Sequence, residues 1–165
     1  REAREPWVCF DIADRRYGLP VQVVQEVLRV DSITRVPHAP QGIRGVTNMR
    51  GRVLPVVDLR LRLGFPEQQV AGASRILVAL AAAGPVGLLV DAVEQMLAIA
   101  ASEHQEPPAE MRQEEQSAAL AMVDPGDQPL LLLDLERLLE PIAAASLARS
   151  VSSASGEDAP SAAGA

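Results

Sequence analysis

The chain has 165 residues, 48% of them hydrophobic and 22% charged, with a formal net charge of -7 and a single cysteine. That balance suits a soluble fold with one sizeable core or two small ones; the lone Cys9 excludes an intramolecular disulfide, and the longest apolar window, residues 76–90, is broken at Gly84-Pro85 and too short to span a bilayer. Only 2% of residues are aromatic and lysine is absent, so the interleaved basic and aromatic side chains of a nucleic-acid surface are missing.

The charge is unevenly placed. Residues 1–66 hold 11 arginines against 7 acids, whereas residues 67–140 hold 3 against 13. The first half can meet an acidic partner, and every cation is a planar guanidinium suited to bidentate contacts. After an N-terminal extension, residues 1–6, the run 7–12 alternates as a half-buried strand, Asp14-Arg15-Arg16 is a turn, and Tyr17-Gly18-Leu19 begins a second strand. Pro20 opens a bend with one helical turn over residues 21–25. Residues 26–30 return to strand, 33–36 form a short extended piece, and Pro37-His38-Ala39-Pro40 closes the section.

The stretch 43–63, IRGVTNMRGRVLPVVDLRLRL, organises the rest. Aliphatic runs at 45–49 and 52–57 flank Arg50-Gly51, and the glycine supplies the positive φ that a hairpin needs. The turn gathers Asn48, Arg50 and Arg52. Asp58 follows the second strand and caps a short helix over residues 59–63. Pro55 lies inside a strand, which predicts a free edge or a bulge there.

Residues 76–97 can be laid on residues 7–28 at a constant offset of 69, and 130–139 on 54–63 at an offset of 76, with Asp134 over Asp58. This duplication predicts two similar β units of about five strands, at about 7–66 and 75–140, each closed by a short helix. Under the second offset the hairpin turn falls on Asp124-Pro125-Gly126-Asp127-Gln128, a turn without a cation. Folding a turn needs only the glycine, so Arg50 and Arg52 are a surplus that points to function. Residues 102–116 read as an exposed acidic loop with a possible helical turn, and residues 141–165 as a flexible Ala/Ser-rich tail.

Alternatives are weaker. His38 and His104 sit in separate loops with no ligand-spaced partner, so no metal is expected. Cys9 alternates with Val8 and Phe10 and reads as a core thiol; Gly42-x-x-Gly45 lacks the lysine and setting of a phosphate loop. Asp58 and Asp134 read as caps, and no Ser/His/Asp or Cys/His grouping supports catalysis. Val24, Val27, Val90 and Val93 are expected in the core first.

The run Ile43-x-Gly45-Val46-x-Asn48-Met49-Arg50-Gly51-x-Val53-x-Pro55-Val56-Val57-Asp58-Leu59-Arg60 resembles the signature of the CheW family of bacterial chemotaxis coupling proteins. Tyr17-Gly18-Leu19, Val24-Gln25-Glu26-Val27, Thr34-Arg35-Val36-Pro37, Gly87-Leu88-Leu89-Val90-Asp91-Ala92-Val93 and the closing run 130–139 stand in family order, so the resemblance covers roughly residues 7–140. One departure is Ala118-Ala119-Leu120-Ala121, where a glycine is usual before the penultimate strand.

The resemblance implies a mainly β fold of two five-stranded SH3-like barrels packed together, with short helices. It also implies a non-enzymatic, cofactor-free adaptor joining the cytoplasmic tip of methyl-accepting chemoreceptors to the regulatory domain of a CheA-type histidine kinase. Its expected location is the cytoplasm, recruited to receptor arrays at the inner membrane. By family match the partner-binding residues are Val24, Glu26 and Arg50, with Asn48 as their neighbour. The alternative reading is a CheW-like regulatory domain cut from a larger histidine kinase or receiver-fused protein, or an adaptor for a non-motility pathway. An uncharacterised small enzyme carries little weight.

Overall fold

The computed structural model describes residues 2–126, 128–142, 147, 150 and 151. Eleven strands form two sheets among these residues. They are β1 (Arg4–Ile12), β2 (Arg15–Pro20), β3 (Val24–Arg29), β4 (Ile43–Met49), β5 (Arg52–Asp58), β6 (Arg75–Ala81), β7 (Gly84–Val90), β8 (Ala92–Val93), β9 (Leu97–Ala100), β10 (Ala119–Val123) and β11 (Leu130–Leu133). The helices are short: α1 (Leu59–Arg62), α2 (Gln113–Ala118) and α3 (Leu135–Leu139). Val21–Val23 forms the single helical turn expected after Pro20.

One sheet runs β3-β6-β7-β5-β4; the other runs β10-β11-β2-β1-β8, with β9 also on β1. Neither sheet comes from one half of the chain. The leading hairpin of each half is exchanged, so β1 and β2 pair with second-half strands while β6 and β7 pair with first-half strands. The units expected at 7–66 and 75–140 therefore do not coincide with the sheets.

The duplication survives in the pairing. Leu28 faces Ile76 in one sheet, and Leu97 faces Trp7 in the other; Val56 lies beside Gly87, and Leu132 beside Gly18. Each of these matches is its counterpart shifted by the offsets of 69 and 76. Bulges fall between Ile43 and Gly45 and between Ala119 and Ala121, again one repeat apart. The image of β3 is split into β8 and β9, which makes the second sheet six-stranded.

Single bridges join the sheet ends: Thr34 to Val46, with both N···O distances 2.8 Å, and Gln105 to Met122, at 2.7 and 2.8 Å. The extended piece expected at 33–36 is this closing strap. Each sheet curls around a small apolar filling, Trp7, Cys9, Leu130 and Leu132 in one and Val56, Ile76 and Leu89 in the other. Between the sheets lies the main core, with Phe10, Tyr17, Leu19, Leu59, Leu77, Leu88, Leu133 and Leu138. Ile142 and Leu147 are buried against it, so two residues of the tail expected to be flexible belong to the core. Ser150 is buried and Val151 half-buried, and the remainder of that expectation falls outside the described residues.

Three expectations need correction. β5 is an internal strand; Pro55 faces Val46 on one side, and pairing to β7 starts one residue later at Val56, so the proline sits at the margin of the parallel ladder. Val27 is 44% exposed on β3 instead of joining the core. The loop 102–116 ends in α2, whose Glu115 is fully buried.

The Asp58 cap forms as expected: its Oδ1 accepts from the Arg60 amide at 3.0 Å. Asp134 does the same for the Arg137 amide at 3.0 Å. Arg62 was not anticipated. It is buried, and its guanidinium donates to the carbonyls of Glu114, Arg137 and Leu138 and to Ser117 Oγ, tying α1 to the ends of α2 and α3.

A Cβ at Gly45 would stand 2.2 Å from the Thr34 carbonyl oxygen, whereas the repeat carries Ala121 at the matching place. Gly45→Ala should therefore break the strap and destabilise the fold by about 2–4 kcal/mol. Ala121→Gly should cost no more than about 1 kcal/mol. Chemical denaturation of both variants measures the contrast, and equal losses would contradict it.

Candidate interaction site: a paired guanidinium on the central hairpin

Asn48 and Arg52 belong to the β4–β5 hairpin, whose two-residue loop is Arg50-Gly51 because Met49 faces Arg52. Both loop residues have positive φ, 53° at Arg50 and 82° at Gly51. This is the signature of a type I′ turn, whose twist matches the flanking strands. The glycine alone was expected to adopt it; the arginine does so too, at a cost of about 1 kcal/mol for an L-residue. Asn48 helps hold the turn, its Oδ1 accepting from the Gly51 amide at 3.0 Å.

Arg50 reaches across to Glu26 on β3. Nη1 donates to Oε2 at 2.9 Å and Nη2 donates to Oε1, so the pair is bidentate. The two side chains keep relative exposures of 72% and 27%. Arg50 is thus fixed at one end and open to solvent over most of its surface. Val24 begins β3 opposite Ala79 and packs, half-buried, against the main core. Of the four residues expected at a site, Glu26 and Arg50 meet directly, Asn48 serves their turn, and Val24 supports the strand from beneath. Val27, next to Glu26 in sequence and so on the opposite face of β3, is an exposed apolar side chain that the sequence placed inside.

At the other end of β5 from the turn, two ion pairs brace the fold, one of them across the two halves. Arg44 donates to Asp58 Oδ2 at 2.8 Å, and Arg60 clamps Asp91 through Nε and Nη2, at 3.0 and 2.7 Å. Asp91 Oδ2 also accepts from the Ala13 amide at 2.8 Å, fixing the β1–β2 turn. Among the described residues no group of three or more His, Cys, Asp or Glu side chains could hold a metal ion. Cys9 is buried, and burial raises its thiol pKa, which disfavours the nucleophilic thiolate. No helix among the described residues is long and apolar enough to cross a membrane.

Fold and site together define a double-sheet β domain that presents a braced, charged hairpin at its surface. The chain belongs to the CheW-like domain family, whose model matches residues 6–143. It is 32% identical over 139 residues to the chemotaxis protein CheW of Klebsiella aerogenes, covering 82% of this chain and 81% of that protein. It is 32% identical over 129 residues to CheW of Rhizobium meliloti, covering 78% and 83% of the two chains. Protein FrzA of Myxococcus xanthus matches at 37% over 89 residues, 54% of this chain and 56% of FrzA. The crystal structure of the scaffolding protein TtCheW from Thermoanaerobacter tengcongensis superposes with a TM-score of 0.74 at 29% identity, covering 83% of this chain and 93% of that one.

On the second sheet, partial burial and then the hydrogen bond and charge of Glu94 push the Asp11 carboxyl up to about 6. The folded state therefore holds that proton more tightly than the unfolded chain, and between about pH 4 and 6 stability falls as pH rises. Asp11→Asn should flatten this decline and raise the melting temperature at pH 7. Parallel melting-temperature profiles for the variant and the parent chain would refute the assignment.

Proposed function

We propose that this protein is a non-enzymatic adaptor that couples the cytoplasmic tip of chemoreceptors to the regulatory domain of a CheA-type histidine kinase, in the cytoplasm beside the receptor array. The observation that carries this reading is the Arg50 guanidinium, held out on a rigid turn and paired with Glu26. The matching turn of the second repeat, around Gly126, has no arginine. Membership of the CheW-like family supplies the partner class.

The mechanism is exchange of contacts without chemistry. An exposed ion pair contributes about 0–1 kcal/mol, because solvent screens it and ordering two long side chains costs entropy. A carboxylate on the partner can therefore share or displace Glu26 at small cost, while the bidentate geometry fixes its approach. Val27, exposed on the other face of β3, with Val24 shaping the strand, offers an apolar contact to an amphipathic receptor helix. Apolar strand residues on a barrel face would dock the homologous kinase domain.

Arg50→Glu should weaken capture of a receptor cytoplasmic fragment and of the kinase regulatory domain at least about tenfold. Its stability should change by less than about 1 kcal/mol. The swap Glu26→Arg with Arg50→Glu restores an internal pair but reverses its orientation, so binding should stay weak. Unchanged pull-down with either variant, its circular dichroism matching the parent, would remove Arg50 from the interface.

A further inference from the structure

Arg52 flanks the same turn as Arg50, yet it is exposed, and among the described residues nothing bonds or pairs with it. Gln128 stands in its place in the second repeat, so the turn there folds without this cation. Successive side chains of a strand point to opposite faces, which puts Arg52 on the face of Leu54. A Cβ on Gly87 would meet both Leu54 and Ile76, so these too share that face. Leu80 keeps the parity of Ile76 along β6, Pro85 keeps that of Gly87 along β7, and the two stand opposite each other. Leu80 is 49% exposed, and Pro85 is exposed as well. Because β5 and β7 run parallel, their first residues lie at the same end of the sheet. One rim of the first sheet therefore presents an unpaired guanidinium and an uncovered apolar pair.

Val151, the last described residue, lies at the same rim. With Leu147 it lines a small cavity against Val53, Pro55, Gly84 and Pro85, Val53 and Pro55 being on the reverse face of β5 from Arg52. Residues 152–165 follow; they hold Glu157 and Asp158, no cation, and then Ala159-Pro160. The stretch from Val151 to Glu157 can reach up to roughly 20 Å. A Cβ at Gly51 or Gly84 would meet nothing within 4 Å, so the way around either turn is open. An exposed ion pair is weak alone, and a short tether offsets this by holding the acids at a high effective concentration. We propose that residues 152–165 dock back on this rim, Glu157 and Asp158 on Arg52 and Ala159-Pro160 on Leu80 and Pro85, as an internal competitor that a partner of the hairpin displaces. The displacement rests on the hairpin reading; the docking does not.

Cys9 is buried, so a nitroxide can be attached selectively at Ser161→Cys in the full chain. Its paramagnetic broadening of the Arg52 and Leu80 amide signals tests the docking with no partner present. Both signals should broaden, and the effect should fall at least about twofold with Arg52→Glu and again at about 1 M salt, which screens exposed charges. Adding Glu157→Arg and Asp158→Arg to Arg52→Glu should restore it. No broadening, or broadening indifferent to Arg52→Glu, would overturn the docking. Glu157→Gln with Asp158→Gln in the full chain should tighten capture of the kinase regulatory domain at least about twofold. Unchanged or weaker capture would overturn the competition. If Arg50→Glu leaves capture intact, the hairpin reading fails, and the broadening still decides the docking.

Discussion

Two parallel ladders hold this molecule together: β5 beside β7, and β11 beside β2. Each joins a strand from one half of the chain to a strand from the other, so each sheet is completed only by the hairpin the opposite half donates. Parallel pairing also demands close approach. A Cβ on Gly87 would come within 3.2 Å of Leu54 Cδ2 on β5, and one on Gly18 within 3.2 Å of Leu132 Cδ2 on β11. The halves cannot be separated without opening both sheets along their length and exposing both small fillings.

The same exchange explains the burial of Arg62. Once the hairpins cross over, α1 and α3 are brought to the same main core, and the carbonyls at the ends of α2 and α3 face inward there. A buried carbonyl without a donor is costly. Arg62 supplies donors to three of them from one fixed planar group. Burial lowers its pKa, yet it starts so high that the charge is kept. An apolar side chain there would fill the space and satisfy none of the carbonyls.

Much of this could be read from the residues. Alternation located β1, Pro20 announced the helical turn, and Asp58 and Asp134 announced their helices; the offsets of 69 and 76 revealed a duplication that the strand pairing reproduces. Periodicity reports which face of a strand is buried and is silent on its partner across the sheet, so the exchange of hairpins was invisible. Glu26 and Arg50 were both singled out, but their bond spans 24 residues and no local pattern encodes it. Glu115 sat in an acidic stretch that composition assigns to solvent; the hydroxyl of Tyr17, 98 residues away, and the guanidinium of Arg15 make its burial tolerable.

The duplication also shows where divergence has been free. In both repeats a carboxylate steadies the turn of an exchanged hairpin: Glu136 of α3 accepts directly from the Ala82 amide, while Asp91, clamped by Arg60, accepts from Ala13. Arg60 and Glu136 occupy the same place in their repeats, so opposite charges perform one structural task through different intermediaries. Framework positions thus changed their chemistry while keeping their geometry. The central hairpin did the reverse. Each repeat has a glycine in this turn, Gly51 and Gly126, both at positive φ; at the place of Gly126 the first repeat carries Arg50, which keeps the positive φ at the strain of an L-residue and points outward. A residue that strains the turn and sits mostly in water adds little to folding, which is why the proposed partner contact is centred on it.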